Sequence, residues 1–214
     1  MKENYQLRLE EILRDECGER RPTLLLHACC APCSSYVLEY LAKRFRITLF
    51  FYNPNIDPPE EYEFRRAELC RLVTDMGLAD EVSFLDAPYD PEAFYAMAKG
   101  DEEEAEGGSR CGRCYRLRLR KTAEAAAAGG FEFFTTTLSI SPHKRADWLY
   151  EIGCEEGEAH GVRYLPSDFK KKNGYRRSCE LSAEYGLYRQ DYCGCIYSKI
   201  ASEKKFGIST DSIS

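Results

Sequence analysis

Two unbroken apolar runs constrain this chain most: Thr23-Leu24-Leu25-Leu26-His27-Ala28 and Ile47-Thr48-Leu49-Phe50-Phe51-Tyr52. A strand with one wet face alternates apolar and polar residues, whereas a strand covered on both faces reads as a continuous hydrophobic stretch. Further short strands are expected over residues 82–85, 131–137 and 162–165. Helical segments fall between them. Residues 3–16 carry Tyr5, Leu9, Ile12 and Leu13 near helical spacing, and Ser34 or Ser35 can cap a helix bearing Val37, Leu38 and Leu41. Helices are also expected over 60–76, over 91–98, and from Cys111 to about Ala128, where Gly129-Gly130 ends the run. Ser141-Pro142 has the form of an N-cap followed by proline at the first helical position, opening a helix to about Cys154, and residues 178–188 read as one more. Strand and helix alternate, so the expected fold is α/β: a parallel sheet flanked by helices. Ligands of such sheets lie beyond the carboxyl ends of the strands. Cys29 and Cys30, after the first strand, and residues 135–142, after the fourth, therefore belong at the ligand edge.

The chain has 214 residues, 43% of them apolar, which suffices for one sizeable core. No internal repeat and no linker divides it. We therefore expect a single domain over residues 1–214, with the N-terminal helix (1–21) and the C-terminal tail (201–214) peripheral. Thirty Lys and Arg stand against 36 Asp and Glu, a net charge of −6, so any nucleic-acid site has to be a local patch. No run of 18 apolar residues exists and the N-terminus is charged throughout, so the chain reads as a soluble cytoplasmic protein with no membrane partner.

Eleven cysteines are unusual for such a chain. In a reducing compartment, clustered thiols bind metal or do redox work more often than they form staples. Three groups stand out: Cys29-Cys30-Ala31-Pro32-Cys33, Cys111-Gly112-Arg113-Cys114 and Cys193-Gly194-Cys195. With three histidines in all, a His-rich zinc site has little to draw on. Cys29 and Cys30 in a strand-to-helix loop, with Cys111 and Cys114 on a first helical turn, can converge on one centre: tetrahedral zinc or an iron–sulfur cluster. Adjacent cysteines diverge, which suits the larger object. Cys33 offers a fifth thiolate, a redox Cys-x-x-Cys partner for Cys30, or a small buried hydrophobe. Cys193 and Cys195 can interconvert between dithiol and a strained, easily reduced disulfide, Gly194 relaxing the backbone between them, or can bind a second metal.

Residues 163–177 hold Arg163, Lys170, Lys171, Lys172, Arg176 and Arg177 against Asp168 alone, with Tyr164, Phe169 and Tyr175 interleaved. That composition suits either a solvated face or an RNA-binding patch of Lys170, Lys171, Lys172, Arg176 and Arg177 with stacking aromatics. Residues 135–137 with Ser139, Ser141, His143 and Lys144 offer hydroxyls and a helix N-terminus to an anion. Gly-x-Gly-x-x-Gly, the phosphate-loop motif and Gly-x-Ser-x-Gly are all absent, which removes support for nicotinamide dehydrogenase, P-loop hydrolase and esterase chemistry.

Several long motifs occur together in one order. They are Cys29-Cys30-Ala31-Pro32-Cys33-Ser34, Tyr52-Asn53-Pro54-Asn55-Ile56, Cys111-Gly112-Arg113-Cys114-Tyr115 with Arg118-Leu119, and Thr135-Thr136-Thr137-Leu138 with Ser141-Pro142 and Lys144. Asp168-Phe169-Lys170-Lys171 and Tyr185-Gly186-Leu187-Tyr188-Arg189-Gln190 with Tyr192-Cys193-Gly194-Cys195 complete the set. Over about residues 22–200 the chain resembles the cobalamin-independent epoxyqueuosine reductases. The resemblance implies an α/β fold of the adenine-nucleotide alpha-hydrolase-like (HUP-like) group. It implies reduction of epoxyqueuosine at the wobble position of tRNAs with GUN anticodons, fed by an electron donor the sequence does not identify. It further implies a [4Fe–4S] cluster on Cys29, Cys30, Cys111 and Cys114 and a redox-active pair of Cys193 and Cys195, with a second mononuclear metal ion near the cluster as an alternative within the family. Cys17, Cys70, Cys154 and Cys179 and the helix before residue 22 lie outside the shared motifs.

Removing an epoxide oxygen to leave an alkene takes two electrons and two protons. Tyr192, Asp191 and His143 are the proton-donor candidates by their place in the motifs. Two other classes compete. An ATP-dependent tRNA thiolation enzyme normally carries a Ser-Gly-Gly-x-Asp-Ser loop after strand one, where this chain has His27-Ala28-Cys29-Cys30. A non-catalytic, zinc-stabilised RNA-binding module would be colourless, where an iron–sulfur protein is brown.

Overall fold

The computed structural model describes residues 3–18 and 20–205. Five strands form one parallel sheet: β1 (Thr23–His27), β2 (Arg46–Phe50), β3 (Val82–Leu85), β4 (Phe133–Thr136) and β5 (Arg163–Tyr164), in the order β3-β2-β1-β4-β5. The helices are α1 (Tyr5–Glu16), α2 (Ala31–Leu41), α3 (Pro59–Asp75), α4 (Pro91–Ala98), α5 (Ser109–Ala128), α6 (Ala146–His160), α7 (Gly174–Glu184) and α8 (Ile196–Lys205). Successive side chains of β1 feed opposite cores, as the pleat demands. Leu24 and Leu26 pack with Val37, Leu38 and Leu41 of α2 and Leu69 and Val73 of α3. Leu25 packs on the other face with Tyr115, Leu119 and Ala123 of α5 and Leu149 and Ile152 of α6. All three leucines are wholly buried, each contributing roughly 1.5–3 kcal/mol. The continuous apolar runs are therefore strands covered on both faces, as expected.

From β1 the chain steps outward to β2 and β3, then returns to place β4 on the other side of β1. The direction of winding reverses between β1 and β4, and a crevice opens beyond their carboxyl ends. Two local corrections set its shape. Neither Ser34 nor Ser35 caps α2. Cys30 is the extended N-cap residue, and the two serines lie inside the helix with their hydroxyls donating back to Cys30 O (2.8 Å) and Pro32 O (2.9 Å). Nor does Ser141-Pro142 open a helix. After β4 the chain makes a 3-10 turn, Thr137–Ile140, capped by the Thr136 hydroxyl, which accepts from Leu138 N (3.1 Å), and α6 starts only at Ala146. It runs past Cys154 to His160, where Gly161 in the left-handed region (φ 70°) ends it.

Helix α7 begins four residues earlier than expected, packed on α2, and α8 follows the third cysteine group where no helix is expected. Residues 201–205 of the expected peripheral tail belong to α8, and the remainder lies outside the described residues. No helix among the described residues is long and apolar enough to cross a membrane.

Candidate metal and thiol redox site

The thiols meet at the winding reversal. Cys29 leaves β1, its amide held by Thr137 Oγ1 (3.1 Å) and its Sγ accepting from the same hydroxyl (3.3 Å). Cys30 is the N-cap of α2, and Cys33 stands one turn along it. Their sulfurs lie within 4.8 Å of one another, Cys29 Sγ and Cys30 Sγ being 3.8 Å apart. Cys30 is held well below the ordinary thiol range, first by hydrogen bonding from Cys29 and then from Cys33, while Cys33 is pushed up, first by Cys29 and then by Cys30. The partial positive charge at the start of α2 favours placing the thiolate at this position. Cys33, outside the quartet that the resemblance implies, thus completes a trio that can hold a metal ion.

Cys111 and Cys114 lie apart from the trio, one turn from each other on α5. With Cys193 and Cys195 they line a small cavity of about 20 Å³. Burial raises the Cys111 thiol, against the Gly107 amide that donates to its sulfur (3.3 Å), and pushes Cys114 up to about 12. Burial, followed by the neighbouring Cys193, raises Cys195 as well. Three features fix the Cys193-Gly194-Cys195 turn. Arg65 Nη1 donates to Cys193 O (3.3 Å), Asp57 N donates to Gly194 O (3.0 Å), and Gly194 takes φ 116°, in the left-handed region that favours glycine. A Cβ there would stand 3.1 Å from both Arg65 Nη1 and Ile56 Cγ1.

Two buried cations that composition alone did not reveal complete the site. Lys144 is 7% exposed, and its Nζ donates to Cys193 Sγ at 3.2 Å and Glu106 Oε1 at 3.0 Å. Burial opposes its charge, but Cys193, Tyr115 and Glu106 outweigh burial and keep the ammonium protonated above its ordinary value. Arg118, one turn beyond Cys114 on α5, is 1% exposed. Its Nε donates to His27 Nε2 (3.3 Å) and its Nη2 to Asn53 Oδ1. His27 is neutral, its pKa pushed down to about 3 by burial first and Arg118 second. Arg118 and Lys144 appear in the quoted motifs, but their burial depends on how α5 and the β4–α6 segment dock.

The main cavity, about 320 Å³, joins these parts: Cys29, Cys30, Cys33, Arg118, Lys144 and Cys193 line it. Tyr192, Asp191 and His143 line it too, and Lys144 brings its ammonium against the Cys193 sulfur. Of the expected hydroxyl anion site, Ser141, His143 and Lys144 line the main cavity, while the remaining hydroxyls turn inward. Thr135 donates to Leu165 O, Thr136 bonds His27, Thr137 bonds Cys29 and Ser139 bonds Ser167, so their hydroxyls are used inside the fold.

The basic segment also differs from its expectation. Lys170 pairs with Asp168, Lys172 with Glu10, Arg176 with Glu180, Arg177 with Glu39 and Arg163 with Glu16. Among the described residues, Lys171 is the member without an ion pair. Phe169 and Tyr164 are core residues, and Tyr175 is the exposed aromatic, at the cavity wall. Sequence counting sees six positive charges against one; tertiary pairing brings carboxylates from α1, α2 and α7 to meet them.

Metal-binding chemistry fits this donor set. Three thiols converge closely, and Cys114 on α5 and Cys193 share the guanidinium of Arg118 with Cys29. Arg118 Nη1 has no hydrogen-bond partner, and among the described residues the guanidinium meets no carboxylate, so it faces thiols that become anionic on binding metal. A doubly wound sheet whose switch-point crevice is lined by thiols and buried cations is the frame of a protein whose cysteines can hold a metal.

The model of the family "Epoxyqueuosine reductase QueH" matches residues 24–201. The chain is 46% identical over 180 residues to the epoxyqueuosine reductase QueH of Streptococcus pyogenes serotype M1, covering 83% of this chain and 71% of that protein. It is 42% identical to that of Staphylococcus epidermidis (91% and 84% covered) and 36% identical to that of Thermotoga maritima (86% and 93% covered). The chain belongs to the QueH family of epoxyqueuosine reductases. The solved structure of NMN synthetase from Francisella tularensis covers 97% of this chain and is itself 87% covered, at 13% identity and a TM-score of 0.49.

Proposed function

We propose that this chain is an oxidoreductase of the cytoplasm that reduces epoxyqueuosine to queuosine at the wobble position of tRNAs with GUN anticodons. Family membership supports the reaction, and the observation that carries the chemistry is Cys193: it lines the main cavity with the thiol trio, touches the Lys144 ammonium and shares a turn with Cys195. The reaction balances on the thiols alone. The two C–O bonds of the epoxide break, the oxygen leaves as water, and two thiols supply two electrons and two protons as they become one disulfide. The Cys193/Cys195 pair is the dithiol. Lys144 donates to Cys193 Sγ and holds a proton beside the point where the oxygen departs. Tyr175 and Tyr192 give the cavity mouth aromatic faces for an unstacked base.

In this reading Cys29 and Cys30, at the start of α2, and Cys111 and Cys114, on the first turns of α5, would hold a [4Fe–4S] cluster. When bound, that centre passes electrons singly, and an external donor restores the dithiol after each turnover. Lys171, backed by Lys170, Lys172, Arg176 and Arg177, meets the phosphates of the anticodon arm. The thiolation alternative has no support at the β1 loop, where cysteines replace its nucleotide-binding residues.

The test is anaerobic iron and sulfide analysis, then incubation with reductant and tRNA carrying epoxyqueuosine, followed by nucleoside mass spectrometry. Iron with sulfide, and a product lighter by one oxygen atom, is the expected result. Zinc without sulfide and an unchanged nucleoside would refute the reductase reading and favour the zinc module.

A further inference from the structure

The site's four buried cations, Arg65, Arg110, Arg118 and Lys144, are not equivalent, and Arg110 is held by the carbonyls of Asp101 (2.7 Å) and Glu102 (2.9 Å). Arg65, on α3, pairs with Glu61 at 2.7 Å, and Lys144 pairs with Glu106 at 3.0 Å. Arg118 is buried at least as deeply, yet both of its hydrogen-bond partners, His27 and Asn53, are neutral, and its Nη1 has none. His27 Nδ1 lies 2.8 Å from Thr136 Oγ1 and Nε2 lies 3.0 Å from Tyr52 O, and burial first and Arg118 second keep the ring neutral. A neutral imidazole supplies no countercharge. A buried charge lacking an opposite partner is among the costliest features a fold can retain.

The groups around Arg118 that can become negative are the thiols of Cys114, Cys29 and Cys193, one from each cysteine motif. Arg118 also borders both cavities. It therefore stands where the trio at the start of α2, the α5 pair and the Cys193 turn come closest to a shared centre. We propose that Arg118 is the fixed countercharge of the thiolate-bound centre: a positioning residue whose charge is uncompensated in the empty protein and balanced once metal is held by thiolates. The inference rests on the reading that these thiols hold a metal centre.

Two consequences separate this role from one of merely pinning α5 to β1. First, the effect on stability depends on loading. Replacing Arg118 by methionine removes a costly charge from the empty protein but a needed one from the loaded protein. Second, a nearby cation stabilises the reduced, more negative state of a metal centre, so its removal shifts the midpoint potential to more negative values.

The experiment compares the parent chain, R118M and R118K, each loaded anaerobically with iron(II) and sulfide and each stripped with chelator. Tm is measured for both forms and the midpoint potential for the loaded one. We expect R118M to lower the Tm of the loaded form more than that of the stripped form, and to shift the potential negative, with R118K closer to the parent in potential. Equal Tm losses in both forms with an unmoved potential would overturn the inference. Should R118M fail to retain iron, R118K decides: restored iron uptake supports the countercharge, and continued failure overturns it. A parent chain that binds no iron overturns the metal-centre reading itself, a result distinct from a loaded parent whose potential Arg118 does not affect.

Discussion

Positive charge is handled in opposite ways at two places in this molecule. On the face formed by α7 and the loop before it, Arg176 and Lys172 are solvent-exposed and Arg177 is half-buried, and they are matched to Glu180, Glu10 and Glu39. At the carboxyl edge of β1 and β4, Lys144, Arg65 and Arg118 are buried beside cysteines, and Arg118 has no carboxylate. Exposed ion pairs are worth about 0–1 kcal/mol, whereas a buried charge must be offset by what it faces. The comparison teaches that the number of cations along a segment says little about where charge does chemistry; burial against ionisable sulfur says more.

The largest effect that can break this comparison is at the third cysteine group. The double variant Cys193→Ser/Cys195→Ser removes the two-electron carrier, and multiple-turnover formation of queuosine should fall to background by nucleoside mass spectrometry; a full rate would end the redox role of the pair. Next is Lys144→Met, which should lower the rate about 10²-fold or more at saturating tRNA, with Lys144→Arg partly restoring it by keeping the charge. A rate unchanged in Lys144→Met would mean that the contact with Cys193 is structural.

Arg65→Met leaves Glu61 without its partner and frees the Cys193 carbonyl, so unfolding in denaturant should show a loss of about 3 kcal/mol. Arg176→Ala, on the exposed face, should cost about 0.5 kcal/mol or less in the same assay. Equal losses would erase the distinction between the two regions. The smallest expected effect concerns RNA. Lys171→Ala should weaken tRNA binding and reduce the slope of log affinity against log salt by about one, while Arg176→Ala, whose charge is already matched, should change it less.

Much of the fold was legible because burial on both faces leaves a strong signal: the apolar run at residues 23–28 contains β1, the run at 47–52 contains all of β2 but its first residue, and residues 82–85 match β3. The start of α6 was not, because Ser141-Pro142 satisfies local rules for a helix start while the Thr136 hydroxyl claims the preceding turn. The cysteine groups were legible as motifs, and their convergence on the ligand edge followed from the strand pattern. Their partition was not. That Cys33 joins Cys29 and Cys30, and that Cys111 and Cys114 face Cys193 and Cys195, depends on how α5 and the final turn dock. The ion pairing of the basic segment was not legible for the same reason, since Glu10, Glu16 and Glu39 lie far from it in sequence.

The central claim is that the Cys193/Cys195 dithiol carries the electron pair. The most direct measurement is a single turnover of reduced protein, freed of external reductant, on tRNA carrying epoxyqueuosine, with the thiols alkylated at each time point and mapped by peptide mass spectrometry. The account predicts one Cys193–Cys195 disulfide for each queuosine formed, appearing at the same rate. Queuosine accumulating while both cysteines remain alkylatable would contradict it.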